Sequence, residues 1–317
     1  MIDNHIIIDG SKGEGGGQIL RSSLSLSMIT GRPFTLKNIR AGREKPGLMR
    51  QHLTCVKAAA EVCDAEISDV TIGSEELSFM PGKIKAGDYH FAIGTAGSTT
   101  LVAQTLIPAL MFLGEPSSLK LEGGTHNMKS PPYDFIEQSF LPLLNRMGAN
   151  ISCGLQSYGF SPAGGGQISI DIKPSTMLKP IELTDRGKQV SFSAEAIVSK
   201  IPISIAEREL KKVQAKLGWS VDMLKARTTD NSIGPGNILL LKLVHDHVTE
   251  VYAGFGVVGT SAESIAKKVC KSANRYLNSE AAVGPYLADQ LLLPMAVGGV
   301  VCIQPCDQAF TQRPTSR

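Results

Sequence analysis

Residues 23–42 read SLSLSMITGRPFTLKNIRAG, and residues 105–124 read TLIPALMFLGEPSSLKLEGG. At one offset Gly31 matches Gly114, Pro33 matches Pro116, and Leu36-Lys37 matches Leu119-Lys120. Self-similarity at a fixed period marks a duplicated supersecondary unit. Each copy reads as a helix closed by glycine, the residue that tolerates the left-handed turn there, followed by a short strand just past proline. A second helix then opens on proline in each copy, PGLMRQHLTCVKAAAEVC (46–63) and PPYDFIEQSFLPLLNRMG (131–148). Proline suits that place because a first helical turn leaves its N–H groups unpaired in any case. Strand patterns close both copies, AEISDVTIG and LSFMPG in the first, ANISCGL and GQISIDI in the second. The unit is therefore strand–helix–strand–helix–strand–strand, and it occurs twice before residue 175.

A third copy begins late. YLADQLLLPMAVGG (286–299) aligns with TLVAQTLIPALMFLG (100–114) through Gln290 and Gln104, each followed four residues on by proline. It starts with its first helix. CIQPCDQAFTQRPTSR (302–317) shows no apolar periodicity for a second one. Between copies two and three lie strands of their own (VSFSAEAIV, ILLLKLV, VTEVYAGF) and two helices, ISIAERELKKVQAKL and SAESIAKKVCKSANRYL. The reading is an α+β chain of three βαβαββ pseudo-repeats, the third incomplete, with a small inserted α/β domain. The repeat domain is discontinuous, 1–183 and 280–317, and the insert spans 184–279.

A chain of 317 residues with 42% hydrophobic and 19% charged residues reads as globular, of about two domains. A net charge of +3 supplies no strong global field, so polyanion binding has to come from a local cluster. No apolar run reaches the roughly 18 residues of a membrane span, and MIDNHIIIDG is too short and interrupted for a signal peptide. Six scattered cysteines without a CxxC pair suit reduced thiols in a cytoplasmic protein.

Three segments carry chemistry. GEGGGQILR (13–21) lacks both the Walker spacing and GxGxxG. Glycines ahead of a helix leave backbone N–H groups free to face an anion, yet Glu14 repels phosphate unless a divalent cation lies between. A metal-bridged nucleotide site and a tight turn with a solvated glutamate are both consistent with the spacing. RAGREKPGLMRQH (40–52) places Arg40, Arg43, Lys45 and Arg50 in a loop entering a helix, with Gln51 and His52 beside them. Such a density of arginine suits forked hydrogen bonding to phosphate, or simply a solvated basic loop. Gln104, Tyr286, Asp289 and Gln290 occupy matching places in copies two and three. From spacing alone Tyr286 reads as a core residue and Asp289 as a first-turn charge favoured by the helix dipole. The histidines form neither a Ser-His-Asp order nor an HExxH motif.

Taken together, GSKGEGGGQILRSSLSLS, IRAGREKPGLMRQHL, AGSTTLVAQT, GFSPAGGGQ, DNSIGPGN and YLADQLLLPMA resemble the RNA 3′-terminal phosphate cyclase family, from about residue 5 to about 299. The resemblance implies pseudo-repeats around a pseudo-threefold axis and a ligase-class, AMP-forming reaction used in RNA processing. A histidine takes AMP from ATP, the adenylate passes to an RNA 3′-phosphate, and the vicinal 2′-hydroxyl displaces AMP to leave a 2′,3′-cyclic phosphate. Glu14 resembles the ligand of a divalent metal, magnesium or manganese, with Asp289 near it. Arg21, Arg40, Arg43 and Gln51 resemble the residues that hold phosphate and the RNA 3′-phosphate end. Gln104 and Tyr286, Leu287, Ala288, Asp289 and Gln290 resemble the ATP-binding residues, with Pro131 and Tyr286 enclosing adenine.

The chain departs from the family near its end. The family's nucleophilic histidine stands in a His-x-x-Thr-Asn motif, and the nearest match here, QAFT followed by Gln312, puts Gln308 in its place. A carboxamide nitrogen is a very poor nucleophile. The sequence therefore predicts a cyclase that has lost its covalent step through a truncated, frameshifted end, or else a non-catalytic cyclase-like protein that binds ATP or RNA. An enolpyruvyl transferase, which shares the repeat architecture, fits the motifs less well.

Overall fold

The computed structural model describes residues 5–13, 15–298 and 302–303. The chain divides into two compact units. The first comprises the described residues through Thr125, with Ala149–Ser157 and Gly164–Met177. The second comprises His126–Gly148, Tyr158–Ala163 and the described residues from Leu178 on.

In chain order the first copy runs β1 (Ile6–Asp9), α1 (Gly17–Thr30), β2 (Phe34–Lys37), α2 (Arg50–Cys63), β3 (Glu66–Ile67) and β4 (Leu77–Met80). The second runs β5 (Asp88–Ala92), α3 (Thr99–Leu110), β6 (Ser117–Gly123), the helical stretch α4 (Tyr133–Phe135), a π turn (Ile136–Phe140) and α5 (Leu141–Arg146), then β7 (Asn150–Ser157) and β8 (Gly166–Lys173). The sheets are ordered β1-β2-β4-β3 and β5-β6-β8-β7. In each the first two strands are parallel and the remaining pairs antiparallel. The duplicated sequence is a duplicated topology. The helix of the first copy closes on Gly31 at φ 68°, the left-handed cap that glycine adopts without a Cβ penalty.

In the first unit α1, α2 and α3 pack together. The small residues of α1 permit this, because their buried hydroxyls find carbonyl acceptors. The buried Ser25 Oγ donates to the Thr105 carbonyl at 2.7 Å and Ser27 Oγ to the Arg32 carbonyl at 2.6 Å. Ser98 caps α3 by accepting from the Leu101 N–H. Along β6 burial alternates, as a sheet with one covered face requires.

The second unit continues with β9 (Glu182–Leu183), β10 (Gln189–Ser199), α6 (Ser204–Leu217), a 3₁₀ turn (Val221–Met223), β11 (Leu224–Thr228), β12 (Gly236–His245), β13 (Thr249–Phe255), α7 (Ala262–Leu277), α8 (Pro285–Gly298) and β14 (Cys302–Ile303). A sheet of order β11-β10-β12-β13 packs against α6 and α7 over a core of its own, including Leu239, Leu241, Leu243, Tyr252, Val269 and Tyr276. β14 pairs in parallel with β9, the relation that β1 has to β2 and β5 to β6. The third copy therefore opens with a strand at 182–183, upstream of β10, and not with its helix as the sequence reading had it. A two-residue strand carries no periodicity, so only its partner reveals it.

Candidate functional site

The first unit builds a cationic cradle around the glycine run. α1 begins at Gly17 with Gly16 extended at its N-cap, no side chain capping it and no acidic residue in its first turn. The N–H groups of that turn are open to an anion and carry the positive end of the helix dipole. Gly15, at φ 53°, lies so close to the 40–45 loop that a Cβ there would fall 2.6 Å from the Gly42 nitrogen; the Gly42 N–H donates to the Gly15 carbonyl. A Cβ on Gly16 would fall 2.7 Å from an Arg43 guanidinium nitrogen. One on Gly17 would fall 2.4 Å from His52 Nε2 and 3.1 Å from Arg21 Nη1. The space that side chains at Gly16 and Gly17 would fill is taken by Arg43, His52 and Arg21, and that at Gly15 by the backbone of Gly42.

Arg40 shapes the loop as well as charging it. It sits at φ 58° and its Nη1 donates to the carbonyls of Lys45 (2.7 Å) and Gly47 (2.8 Å). Desolvation, followed by repulsion from Arg43, lowers its pKa. His52 is 8% exposed, and burial together with Arg40 and Arg21 pushes its imidazole down to about 3. The ring is neutral at any working pH. The Met49 N–H donates to its Nδ1 at 3.2 Å, which leaves the ring proton on Nε2, the edge facing Gly17. Sequence reading left His52 out of the site. Its place one residue after Gln51, in a run already holding three arginines, was the available signal.

Gln51 ties α2 to the loop before α3, its Oε1 accepting from the Ser98 N–H at 2.8 Å. Farther along α3, Gln104 presents a buried Nε2 with no hydrogen-bond partner among the described residues. That orphaned donor fits a ligand acceptor, since an unmatched buried amide costs free energy.

The second unit carries the other predicted residues. Pro131 is half-buried, just ahead of α4. On α8, Tyr286 is 66% exposed, which overturns its reading as a core residue. Asp289 is exposed and Gln290 half-buried on the same side, at helical spacing, whereas Leu287 and Ala288 are buried. Ahead of α8 the chain is pinned. The buried Glu250 accepts from the Gly284 N–H at 2.5 Å, and Tyr276 Oη donates to the Ala282 carbonyl at 2.9 Å. His126 is held elsewhere in this unit, its Nε2 2.8 Å from Asp134 Oδ2 and its ring stacked 4.9 Å from Tyr158.

Glu14 and Gln308 lie outside the described residues. Among the described residues no group of three or more His, Cys, Asp or Glu side chains could hold a metal ion, and the expected ligand Glu14 is not one of them. Nor, among them, is any helix long and apolar enough to cross a membrane.

A neutral imidazole donor and two guanidinium groups gathered on an uncapped helix start are the chemistry of phosphate recognition. The sequence model of the RNA 3′-terminal phosphate cyclase family matches residues 12–315. The chain is 49% identical over 296 residues to the RNA 3′-terminal phosphate cyclase of Koribacter versatilis, covering 93% of this chain and 83% of that protein. To those of Ralstonia nicotianae and Ectopseudomonas mendocina it is 51% and 50% identical, over 94% of this chain and 85% and 87% of theirs. On that similarity, spread over nearly its whole length, the chain belongs to the RNA 3′-terminal phosphate cyclase family.

Proposed function

We propose that this chain recognises RNA 3′-phosphate ends and ATP for the conversion of a 3′-phosphate into a 2′,3′-cyclic phosphate, a ligase-class reaction of RNA processing in the cytoplasm. The observation that carries the reading is that Arg43, His52 and Arg21 occupy the space of the two missing Cβ atoms of Gly16 and Gly17 at the start of α1. Guanidinium groups neutralise phosphoryl oxygens through paired N–H donors, and they do so most effectively where solvent is reduced. His52, neutral and protonated at Nε2, adds a hydrogen bond without adding charge. Arg40 holds the loop that brings Arg43 to the cradle. Gln51 orients the start of α3, and the unmatched Nε2 of Gln104 supplies a donor for ATP. Tyr286, with an exposed ring, and Pro131 are proposed to enclose adenine, with Asp289 and Gln290 beside them on the same helix. A divalent cation bound by Glu14 and Asp289 would offset phosphate charge. Residues 184–279 are taken as an inserted domain.

The covalent step is where this chain parts from its family. With Gln308 at the nucleophile's position, no lone pair of adequate basicity is offered to the α-phosphorus, and His126 is committed to Asp134. Binding survives such a loss while turnover falls by orders of magnitude. The test has two arms. Labelled oligoribonucleotides ending in 3′-phosphate or 3′-hydroxyl are compared by fluorescence anisotropy, with Arg43→Ala as the variant. Preference for the phosphate that disappears in the variant is expected, and equal affinity for both ends refutes the site. In the second arm the protein is incubated with α-labelled ATP and magnesium or manganese. No acid-labile label should remain on the denatured chain, and retained label refutes the loss of the covalent step.

A further inference from the structure

Positive charge in this chain is concentrated in one place outside the cradle. Together α6 and α7 carry eight lysines and arginines against three glutamates, a net charge of +5 in a chain whose total is +3, so everything else sums to −2. Of the three glutamates Glu207 is exposed, and the other two leave the lysines unpaired. Glu209 is fully buried beneath the helices, where burial pushes its carboxyl up to about 7. Glu263 is engaged by Arg208 in a two-point ion pair, at 2.7 and 2.8 Å. By contrast Lys211, Lys212, Lys216, Lys267, Lys268 and Lys271 form no ion pair with any described carboxylate.

The two helices lie side by side on the same sheet, joined at their starts by the Arg208–Glu263 pair. Arg208, Lys212 and Lys216 recur every four residues along α6, and Lys267, Lys271 and Arg275 do so along α7. On a helix that spacing is one face at intervals of about 6 Å. Arg208, the first member of the α6 row, reaches Glu263 of α7 at 2.7 Å, which sets that row on the side of α6 toward α7. An unbalanced double row of cations is a track for a polyanion, since each neutralised phosphate releases a counterion.

We propose that the α6–α7 face binds the phosphate backbone of RNA. The choice of RNA as occupant rests on the function proposed above, and the charge track itself does not. In the test, wild type is compared with a variant carrying Lys212→Glu, Lys216→Glu, Lys267→Glu and Lys271→Glu. A control variant makes the same charge change elsewhere, through Lys57→Glu, Lys83→Glu, Lys120→Glu and Lys173→Glu. Binding to a 20-nucleotide RNA is followed from low to physiological salt, alongside a 3′-phosphorylated dinucleotide and a polyglutamate of matched charge. At about −0.7 in the log–log salt plot for each phosphate neutralised, the face variant should lose a slope of about three and bind the long RNA at least about tenfold more weakly. The dinucleotide should bind all three proteins alike, and the control should follow wild type. Equal losses in face and control variants, an unchanged slope, or polyglutamate binding as tightly as RNA would each overturn the proposal. Loss of discrimination between 3′-phosphate and 3′-hydroxyl ends, with the lysine effect intact, supports the track and counts against the cradle alone.

Discussion

Replacing Glu250 by glutamine should stabilise the protein, and increasingly so as pH rises. Glu250 is 1% exposed on β13, and burial pushes its carboxyl up to about 8 from an ordinary 4.5, only partly opposed by the hydrogen bond from the Gly284 N–H. Between those values the unfolded chain has released the proton while the folded chain retains it. The unfolded state thus binds fewer protons, and stability falls with rising pH across that window. At about 1.4 kcal/mol per pH unit the full interval costs roughly 4 to 5 kcal/mol, nearly all of it accrued by pH 8. Glutamine has the shape of the protonated acid and keeps an oxygen for the Gly284 N–H, but it has no proton to lose. The assay is urea denaturation of wild type and Glu250→Gln at pH 5, 6, 7 and 8. The expected gain is below about 1 kcal/mol at pH 5 and roughly 3 kcal/mol at pH 7. A difference between the two proteins that stays constant from pH 5 to 8 would show that the carboxyl is not held neutral, and the reasoning fails.

Gly17→Ala should leave the melting temperature nearly unchanged, because alanine gains about 1 kcal/mol in a helix, but it should displace His52 and weaken binding of 3′-phosphorylated RNA at least about tenfold. Glu14→Ala should abolish the metal-dependent part of ATP affinity, measured by titration with and without magnesium; equal affinities with metal present would remove Glu14 from the site. Arg186 donates to the carbonyls of Tyr276, Leu277 and Ser279 at the end of α7 and stacks 4.7 Å over the Tyr276 ring. Arg186→Ala should therefore cost about 2–4 kcal/mol in urea denaturation.

Much of the fold could be read from local signals. Gly31 marked where α1 stops, whereas α2 starts at Arg50, four residues past the expected Pro46, and α3 ends at Leu110, short of Gly114; the two copies of one pattern became two sheets of identical order. Apolar periodicity located α6 and α7 to within a residue, since each buries one face against a sheet. Short elements escaped. β11 has a half-exposed, charged sequence, LKART, and is a strand only because β10 runs alongside it in parallel. The strand pattern AEISDVTIG shrank to two residues at β3.

For the site, the division follows the range of the forces involved. Residue types and spacing were enough to determine that glycines precede α1, that arginines cluster at 40–50, and that Gln104 and Gln290 are counterparts, because these are properties of neighbours along the chain. Tertiary structure alone decided that His52 is neutral, that Arg40 spends one guanidinium nitrogen on its own loop, that Tyr286 faces outward, and that Glu250 holds the start of α8. A pKa, an exposure or an excluded Cβ depends on groups brought within a few ångströms by packing, and Gly17 and His52 meet across thirty-five positions of sequence that carry no mark of the encounter.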